Sequence, residues 1–316
     1  MNKDTDLIFV LLGVLLVAAV YSNTERIAGQ PIRGLYWAPG PPEQQQAQSP
    51  TCSWTLTKET GSPILLEEAP EGQNHVFPLT IANNNIVVGR LNKKVYAYTN
   101  LGSLVSGFPL ELAEGAGNHV STHATVGDLN SDSFEDFVIK AKTTQGTEVF
   151  TFVGTATGFE ESASWVVSGV ASSFPAGATI SDIDNDGFSE IITFINNKLY
   201  VWSAGGELLN GFPVTVDSGT VGTIPAIADF DKDGFKEIVA QGGSYLYLIK
   251  YDGTILWTKV IKTFSMSPVI GDVDKDGELE IVSVESNGGD SNSIKIFDFE
   301  GNEENFTGSF MKYKAV

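Results

Sequence analysis

One acidic pattern of nine residues occurs four times between residues 128 and 280 of this 316-residue chain. Three copies read Asp-x-Asp-x-Asp-Gly-x-x-Glu, whereas the first has Asn at position 3, Ser at position 6 and Asp at position 9. We name the copies loops 1 to 4, which span residues 128–136, 182–190, 229–237 and 272–280. Their first aspartates lie 54, 47 and 43 residues apart, so the chain is expected to have a repeat architecture.

Each acidic loop is followed by the same order of short apolar runs, as in EIITFI and then KLYVWSAGG. Alternating β-branched and aromatic residues closed by Gly-Gly, Asp-Gly or Gly-Asn predict hairpins. With a strand before the loop, each unit contains about four strands. A fifth unit starts at residue 77 and shares the Gly-Phe-Pro ending (107–109, as in 211–213), with three asparagines at 83–85 replacing the loop.

Four-stranded units of this length predict an all-β fold, a β-propeller of about five four-stranded blades. Residues 53–66 could supply an outer strand that closes the ring. A ring of six or seven blades completed by another chain and an open array are the alternatives. Trp165, Trp202 and Trp257 are expected to pack between blades.

Carboxylates at alternate positions of a tight loop can all turn inward onto one ion. Calcium takes six to eight hard oxygen ligands in irregular geometry, and the glycine permits the left-handed backbone that wraps the chain round the ion. An EF-hand would need a bidentate Glu at position 12, where this chain has Ile139, Thr193, Ala240 and Ser283. The EF-hand is therefore excluded, and a plain Asx-rich turn without metal is the remaining alternative.

The loops, the strands after them and the Gly-Phe-Pro endings resemble the FG-GAP/VCBS repeats of integrin-α-type propellers and of many secreted bacterial proteins. The resemblance covers about residues 75–316. It implies up to four Ca²⁺ ions, bound by the side chains at loop positions 1, 3, 5 and 9 and by the backbone carbonyl at position 7. The implied ligands are Asp128, Asn130, Asp132, Phe134, Asp136, Asp182, Asp184, Asp186, Phe188, Glu190, Asp229, Asp231, Asp233, Phe235, Glu237, Asp272, Asp274, Asp276, Glu278 and Glu280. Ser133 in the glycine place and the missing loop of the first unit depart from the family's pattern.

The charge of the chain narrows the classes of function. With 39 acidic and 19 basic residues, the formal net charge of −20 opposes binding to nucleic acid and suits divalent cations. Cys52 is the only cysteine, which excludes an intrachain disulfide and a Cys-based zinc or iron–sulfur site. The sequence has no serine-hydrolase elbow, phosphate-binding loop or dinucleotide fingerprint, so we expect the protein not to be an enzyme.

Residues 7–21 form an uncharged apolar run near the start of the chain. As a helix this run would be about 22 Å long, short of the ~30 Å hydrocarbon core of a bilayer. Residues 1–30 are therefore predicted to be a hydrophobic helix that serves as a membrane anchor, an assembly helix or a signal. Residues 31–52 are predicted to be a Pro/Gln-rich linker, a stalk for a propeller domain that spans residues 53–316.

These features predict a calcium-stabilised propeller located outside the cell or at its surface. Its expected role is binding or adhesion, with an extracellular protein or glycan as partner. One alternative is a pilus-like filament, in which copies of the chain assemble through residues 1–30 with the propeller outside. The second alternative is an enzyme acting on polysaccharide with the propeller as scaffold, for which the sequence offers no base outside the loops.

Overall fold

A computed structural model of the chain describes residues 5–12, 15–22, 78–90, 93–112, 119–120, 123–168, 177–216, 223–262, 266–286 and 292–304. The chain divides into two compact units, Met1–Glu59 and Thr60–Val316. The predicted linker at 31–52 and the predicted closing segment at 53–66 lie outside the described residues.

Residues 5–22 of the first unit form two antiparallel strands in place of the helix expected there. Strand β1 (Thr5–Leu12) pairs with β2 (Leu15–Ser22), from Thr5 opposite Ser22 to Leu12 opposite Leu15. The run contains valine, isoleucine and aromatic residues, which favour strands, together with leucine and alanine, which favour helices. A helix long and apolar enough to span a bilayer is not found anywhere in the described ranges.

The described residues of the second unit form five antiparallel sheets that follow one another along the chain. The first comprises β3 (Thr80–Ala82), β4 (Asn85–Gly89), β5 (Lys94–Thr99) and β6 (Leu110–Glu111). The second comprises β7 (His119–Val120), β8 (Thr125–Gly127), β9 (Asp136–Lys142), β10 (Gly146–Thr155) and β11 (Gly158–Ser168), with β7 and β8 both paired to β9.

The remaining three sheets repeat this order. The third comprises β12 (Ala178–Ser181), β13 (Glu190–Ile195), β14 (Lys198–Trp202) and β15 (Val214–Thr215). The fourth comprises β16 (Ala226–Ala228), β17 (Glu237–Gly242), β18 (Tyr245–Ile249) and β19 (Ile255–Val260). The fifth comprises β20 (Val269–Gly271), β21 (Glu280–Ser286) and β22 (Asn292–Phe297).

We call the strand that runs into the first turn or acidic loop of a sheet its first strand, although β7 precedes β8 in the second sheet. The first strands β3, β8, β12, β16 and β20 lie side by side in chain order. A threonine hydroxyl of one first strand donates to a backbone oxygen at the start of the next in three successive places: Thr80 Oγ1 to Ala124 O at 2.7 Å, Thr125 Oγ1 to Ala178 O at 3.3 Å and Thr179 Oγ1 to Pro225 O at 2.6 Å. These repeated bonds give successive sheets the same relative position.

Apolar side chains fill the space between each sheet and the next. Val87 of the first sheet and Phe137 of the second belong to one buried cluster, and three further clusters join the later pairs of sheets. Trp165 packs edge-on against Trp202 across the second and third sheets, with ring centroids 5.4 Å apart. Trp257 of the fourth sheet lies 6.2 Å from Phe297 of the fifth. The prediction that these tryptophans pack between sheets is confirmed.

The second unit is therefore an all-β fold of consecutive antiparallel sheets, four of which have four or more strands, packed face to face. Their first strands are aligned in the way that the inner strands of propeller blades are. The predicted fold class is confirmed at this level. The described residues end at 304, and they contain three strands of the fifth sheet.

Candidate metal centres

The four acidic loops form a row along one end of the sheets. Each connects the first strand of its sheet to the second, and hydrogen bonds link each loop to the next. Ser189 N donates to Leu129 O at 3.4 Å and Lys236 N donates to Ile183 O at 3.0 Å, which links loops 1, 2 and 3. Lys232 Nζ donates to Gly277 O at 3.2 Å and links loop 3 to loop 4.

Asn83 occupies the start of this row, in the unit that has no acidic loop. It lies in the turn between β3 and β4 with φ 47°, a left-handed conformation that asparagine tolerates. Its Oδ1 accepts from Glu135 N at 2.8 Å, and its Nδ2 donates to Glu135 O at 2.7 Å. Glu135 is at position 8 of loop 1, the position whose N–H bonds to a neighbouring backbone carbonyl in loops 2 and 3. An asparagine side chain thus replaces the missing loop.

The backbone conformation is the same in all four loops, including the one that lacks glycine. Position 6 has positive φ in each copy: 93° at Gly187, 94° at Gly234, 96° at Gly277 and 73° at Ser133. A left-handed conformation costs a residue with a Cβ about 1–2 kcal/mol. Loop 1 therefore adopts the shared conformation despite Ser133, at a cost that the other three loops do not carry.

Four hydrogen bonds recur in every loop, and each fixes one oxygen of a side chain at position 1, 3, 5 or 9. The position 3 side chain accepts from the N–H of position 5. The position 1 aspartate accepts from the N–H of position 6, and the position 5 aspartate accepts from the N–H of position 7. The position 9 carboxylate accepts from the N–H of position 2, as in Phe230 N to Glu237 Oε2 at 3.0 Å. These bonds orient the side chains of a loop. The other oxygen of Glu237 has no hydrogen-bond partner among the described residues, whereas the other oxygen of Asp136 accepts from Gly154 N at 2.7 Å.

The acidic residue at position 9 is buried in every copy. Asp136, Glu190, Glu237 and Glu280 are each exposed by 3% or less. Burial raises the pKa of all four carboxyl groups. The pKa of Glu190 reaches about 7, because burial and the nearby loop aspartates outweigh the hydrogen bond from Ile183 N. A cation in the loop would favour the charged form of each group.

In three loops the acidic side chains converge on one point. Their oxygens lie within 4.8 Å of one another in the following groups: Asp182, Asp184 and Glu190; Asp229, Asp231 and Glu237; Asp272, Asp274 and Asp276. Two buried oxygens in these loops, Asp182 Oδ1 and Glu237 Oε1, have no hydrogen-bond partner in the part of the chain that the structure describes. Converging carboxylates with unpartnered buried oxygens fit a hard divalent cation.

The remaining predicted ligands are placed less closely together. The carboxylates of loop 1 do not converge in this way, and Asn130 Nδ2 instead donates to Asp132 Oδ2 at 2.9 Å. Asp186, Asp233 and Glu280 stand outside the groups of their loops. That the carbonyls of Phe134, Phe188, Phe235 and Glu278 bind an ion stays a prediction.

Two residues beside the loops could not be found from the acidic pattern. Asn83 lies 52 residues before its partner Glu135, in a unit where the pattern is absent. Lys250 follows β18, and its Nζ lies 3.7 Å from Asp231 Oδ2 of loop 3. The only sequence signal for either is its position in the aligned units.

The fold and the loops together define a class: an all-β protein of propeller-type sheets with a row of acidic loops able to hold cations. No protein-family profile and no curated protein matches the chain. Among solved structures, the chain is similar to the biofilm matrix protein Bap1 of V. cholerae, at 16% identity and TM-score 0.45, over 72% of this chain and 38% of Bap1. It is also similar to BamB from Moraxella catarrhalis, at 14% identity and TM-score 0.48, over 73% of this chain and 62% of BamB. The chain thus spans less than two thirds of either structure, and neither likeness bears on its function.

Proposed function

We propose that this protein is a calcium-stabilised β-propeller that serves as a binding or adhesion module at the cell surface. The observation that carries the proposal is the convergence of carboxylates in loops 2, 3 and 4, each made from the same nine-residue pattern. Carboxylates held this close repel one another unless a cation lies between them. The loops are therefore assigned to cation binding, and we propose a binding role for the protein in place of a catalytic one.

Calcium is the cation that the donor set favours. The converging side chains offer carboxylate oxygens alone, which are hard ligands, and the groups contain neither histidine nor cysteine. Magnesium demands near-ideal octahedral geometry and gives up its waters reluctantly, whereas calcium accepts irregular sets of oxygens. Four calcium ions would change the formal net charge from −20 to −12.

The resemblance to FG-GAP/VCBS repeats supports a location outside the cytoplasm. Sites of modest affinity, with Kd of about 10⁻⁴–10⁻³ M, are suited to extracellular calcium concentrations. We propose a ring of five blades, of which the five described sheets form the greater part, with the ligand of the module an extracellular protein or glycan. The apolar residues 7–21 would hold the module at the membrane or to other copies of the chain.

The proposal is tested by melting the purified full-length protein in calcium and in EGTA. An ion that binds only the folded state stabilises it by about 2.7 kcal/mol per site at a concentration of 100 times Kd. Chelation should therefore lower the melting temperature clearly, and magnesium should restore it poorly. A melting curve that chelation leaves unchanged would refute the calcium assignment.

The surface location is tested separately on intact cells. A protease that does not cross the membrane should degrade the protein in EGTA and degrade it more slowly in calcium, because bound ions hold the loops in place. Complete protection under both conditions, with a cytoplasmic protein as control, would contradict a surface location while leaving the calcium assignment intact.

A further inference from the structure

Lys250 is a cation placed directly beside one of the proposed calcium sites. Its Nζ lies 3.7 Å from Oδ2 of Asp231, and about a quarter of each side chain is exposed. Asp231 is one of the three residues whose oxygens converge in loop 3. The third residue of that group, Glu237, is 1% exposed, and its Oε1 has no hydrogen-bond partner among the described residues. Loop 3 therefore combines a buried oxygen suited to an ion with a nearby ammonium group.

The position of Lys250 is fixed by the turn that it begins. Lys250 N donates to Thr254 O at 2.8 Å, and Gly253 N donates to Lys250 O at 2.9 Å. The next residue, Tyr251, stacks on Phe235 of loop 3 with ring centroids 4.3 Å apart. The turn and the ring contact together hold the backbone of Lys250 next to loop 3. The ammonium group of Lys250 is therefore kept within reach of Asp231.

The same turn occurs in neighbouring sheets, which identifies the residues equivalent to Lys250. Ser203 N donates to Glu207 O at 2.9 Å and Gly206 N to Ser203 O at 3.0 Å. Asp298 N donates to Asn302 O at 3.1 Å and Gly301 N to Asp298 O at 3.0 Å. The residue that begins this turn is thus neutral in the sheet of loop 2, positive in that of loop 3 and negative in that of loop 4.

In the fifth sheet the surroundings of this position are acidic. A cavity of about 540 Å³ beside loop 4 is lined mostly by acidic residues, among them Asp276, Glu280 and Asp298. Its lining also includes Lys232 of loop 3, whose Nζ lies 2.8 Å from Glu278 Oε1. Carboxylates near a bound divalent cation strengthen its binding, whereas an ammonium group weakens it. The residue that begins the turn should therefore affect cation binding by the adjacent loop differently in each sheet.

We propose that this residue sets the calcium affinity of the adjacent loop, and that Lys250 makes loop 3 weaker than loop 2. The inference rests on the proposed calcium binding. Without calcium, Lys250 neutralises part of the charge of loop 3. When calcium binds, the ammonium group and the ion compete for Asp231, so loop 3 fills after loop 2. Loop 4 has a lysine of its own, since Lys232 Nζ lies 2.8 Å from Glu278 Oε1, and it is left out of this ranking.

The test is a calcium titration of the full-length protein by calorimetry, for the wild type, Lys250→Met and the control Lys259→Met. Lys259 carries the same charge in the same sheet, but its Nζ lies over the Trp257 ring at 5.8 Å from the ring centroid. Repulsion between a monovalent and a divalent cation a few ångströms apart in a water-like dielectric corresponds to about a tenfold change in affinity. Lys250→Met should tighten one weak site about tenfold, and Lys259→Met should leave the affinities almost unchanged.

Adding a lysine beside another loop provides an independent check. Ser203→Lys places a lysine at the equivalent position beside loop 2 and should weaken one further site. Melting curves add a second signature: Lys250→Met should lower the melting temperature in EGTA, where Asp231 loses its partner, and should not lower it in saturating calcium.

The outcomes separate the two proposals. Calcium affinities that are equal in the wild type and Lys250→Met would overturn the role of Lys250 and leave calcium binding standing. Equal tightening by both lysine substitutions would overturn it too, because the effect would then come from net charge. Absence of binding in every protein would refute the calcium assignment on which the inference rests.

Discussion

Lys140 provides a test of the packing between the second and third sheets that does not involve calcium. This lysine lies on β9 and is 1% exposed. Its Nζ donates to Thr193 Oγ1 of β13 at 2.5 Å, and Thr193 Oγ1 donates in turn to Gly177 O at 2.9 Å. His123 packs against Gly177, since a Cβ added to Gly177 would lie 2.7 Å from Cε1 of His123. Burial lowers the pKa of Lys140 from 10.5 to about 7.

The sign of the pH dependence follows from where the proton is bound. Between pH 7 and 10.5 the unfolded chain holds the Lys140 proton and the folded chain releases it, so stability rises with pH. The slope reaches about 1.4 kcal/mol per pH unit. Below pH 7 both states are protonated, and the full cost of the buried charge, about 5 kcal/mol, remains.

The perturbation is Lys140→Met, which shortens the side chain by one atom and removes its charge. Loss of the hydrogen bond to Thr193 costs about 1 kcal/mol. The charge penalty that the substitution removes at pH 7 is larger, so the variant should be more stable than the wild type there by about 3 kcal/mol. Urea denaturation at pH 7, 8, 9 and 10, at one fixed calcium concentration, measures the difference. The two stability curves should converge as the pH approaches 10.

Two results would refute this reasoning. Parallel curves for the wild type and Lys140→Met would show that Lys140 has the same pKa in the folded and unfolded chain. A variant that is less stable than the wild type at pH 7 would show that the contacts of Lys140 outweigh the cost of its burial. His123 titrates below this range, since burial and then Lys140 lower its pKa from 6.5, so it does not affect the comparison.

Two further predictions concern the loops and the start of the chain. Asp184→Ala and Asp274→Ala should each remove one bound calcium, counted by atomic emission. Each should also lower the melting temperature in calcium more than Asp128→Ala does, because the loop 1 carboxylates do not converge and Ser133 carries backbone strain. Equal losses in all three variants would contradict this ranking. Native protein should retain its N-terminus on sequencing. Detergent-soluble monomers would then indicate a membrane tether, and detergent-resistant polymers would indicate a filament. A sequence beginning at Asn23 would exclude both the tether and the filament.

The repeat made the strand order of the second unit predictable. Each acidic loop marks the connection between the first two strands of a sheet, and a tryptophan in an alternating run faces the next sheet because alternate residues share a face. The acidic side chains were predictable as a set for the same reason, since spacing alone places them on one loop. Loop 1 differs from the other three in a way that the sequence also shows, since it has Asn130 where they have an aspartate and therefore one carboxylate fewer.

Contacts between successive sheets could not be predicted from the sequence, because they join residues far apart in the chain. Lys140 lies in the run Asp-Phe-Val-Ile-Lys-Ala-Lys, where a lysine indicates an exposed position, yet the third sheet covers it. The strand pair at residues 5–22 was missed for a different reason. Length and hydropathy do not distinguish a short apolar helix from two apolar strands, and the mixture of leucine and valine in this run does not decide between them.

The two ends of the row of loops are held differently. At the first end, Asn83 and Glu135 join the turn of the first sheet to loop 1 through direct hydrogen bonds, including one from Asn83 N to Glu135 Oε2 at 2.6 Å, so no ion is needed there. At the other end, loop 4 has no acidic loop after it among the described residues, and all but the last two of its residues are exposed. Removal of calcium should therefore loosen the loops that hold ions while the first two sheets stay joined through Asn83.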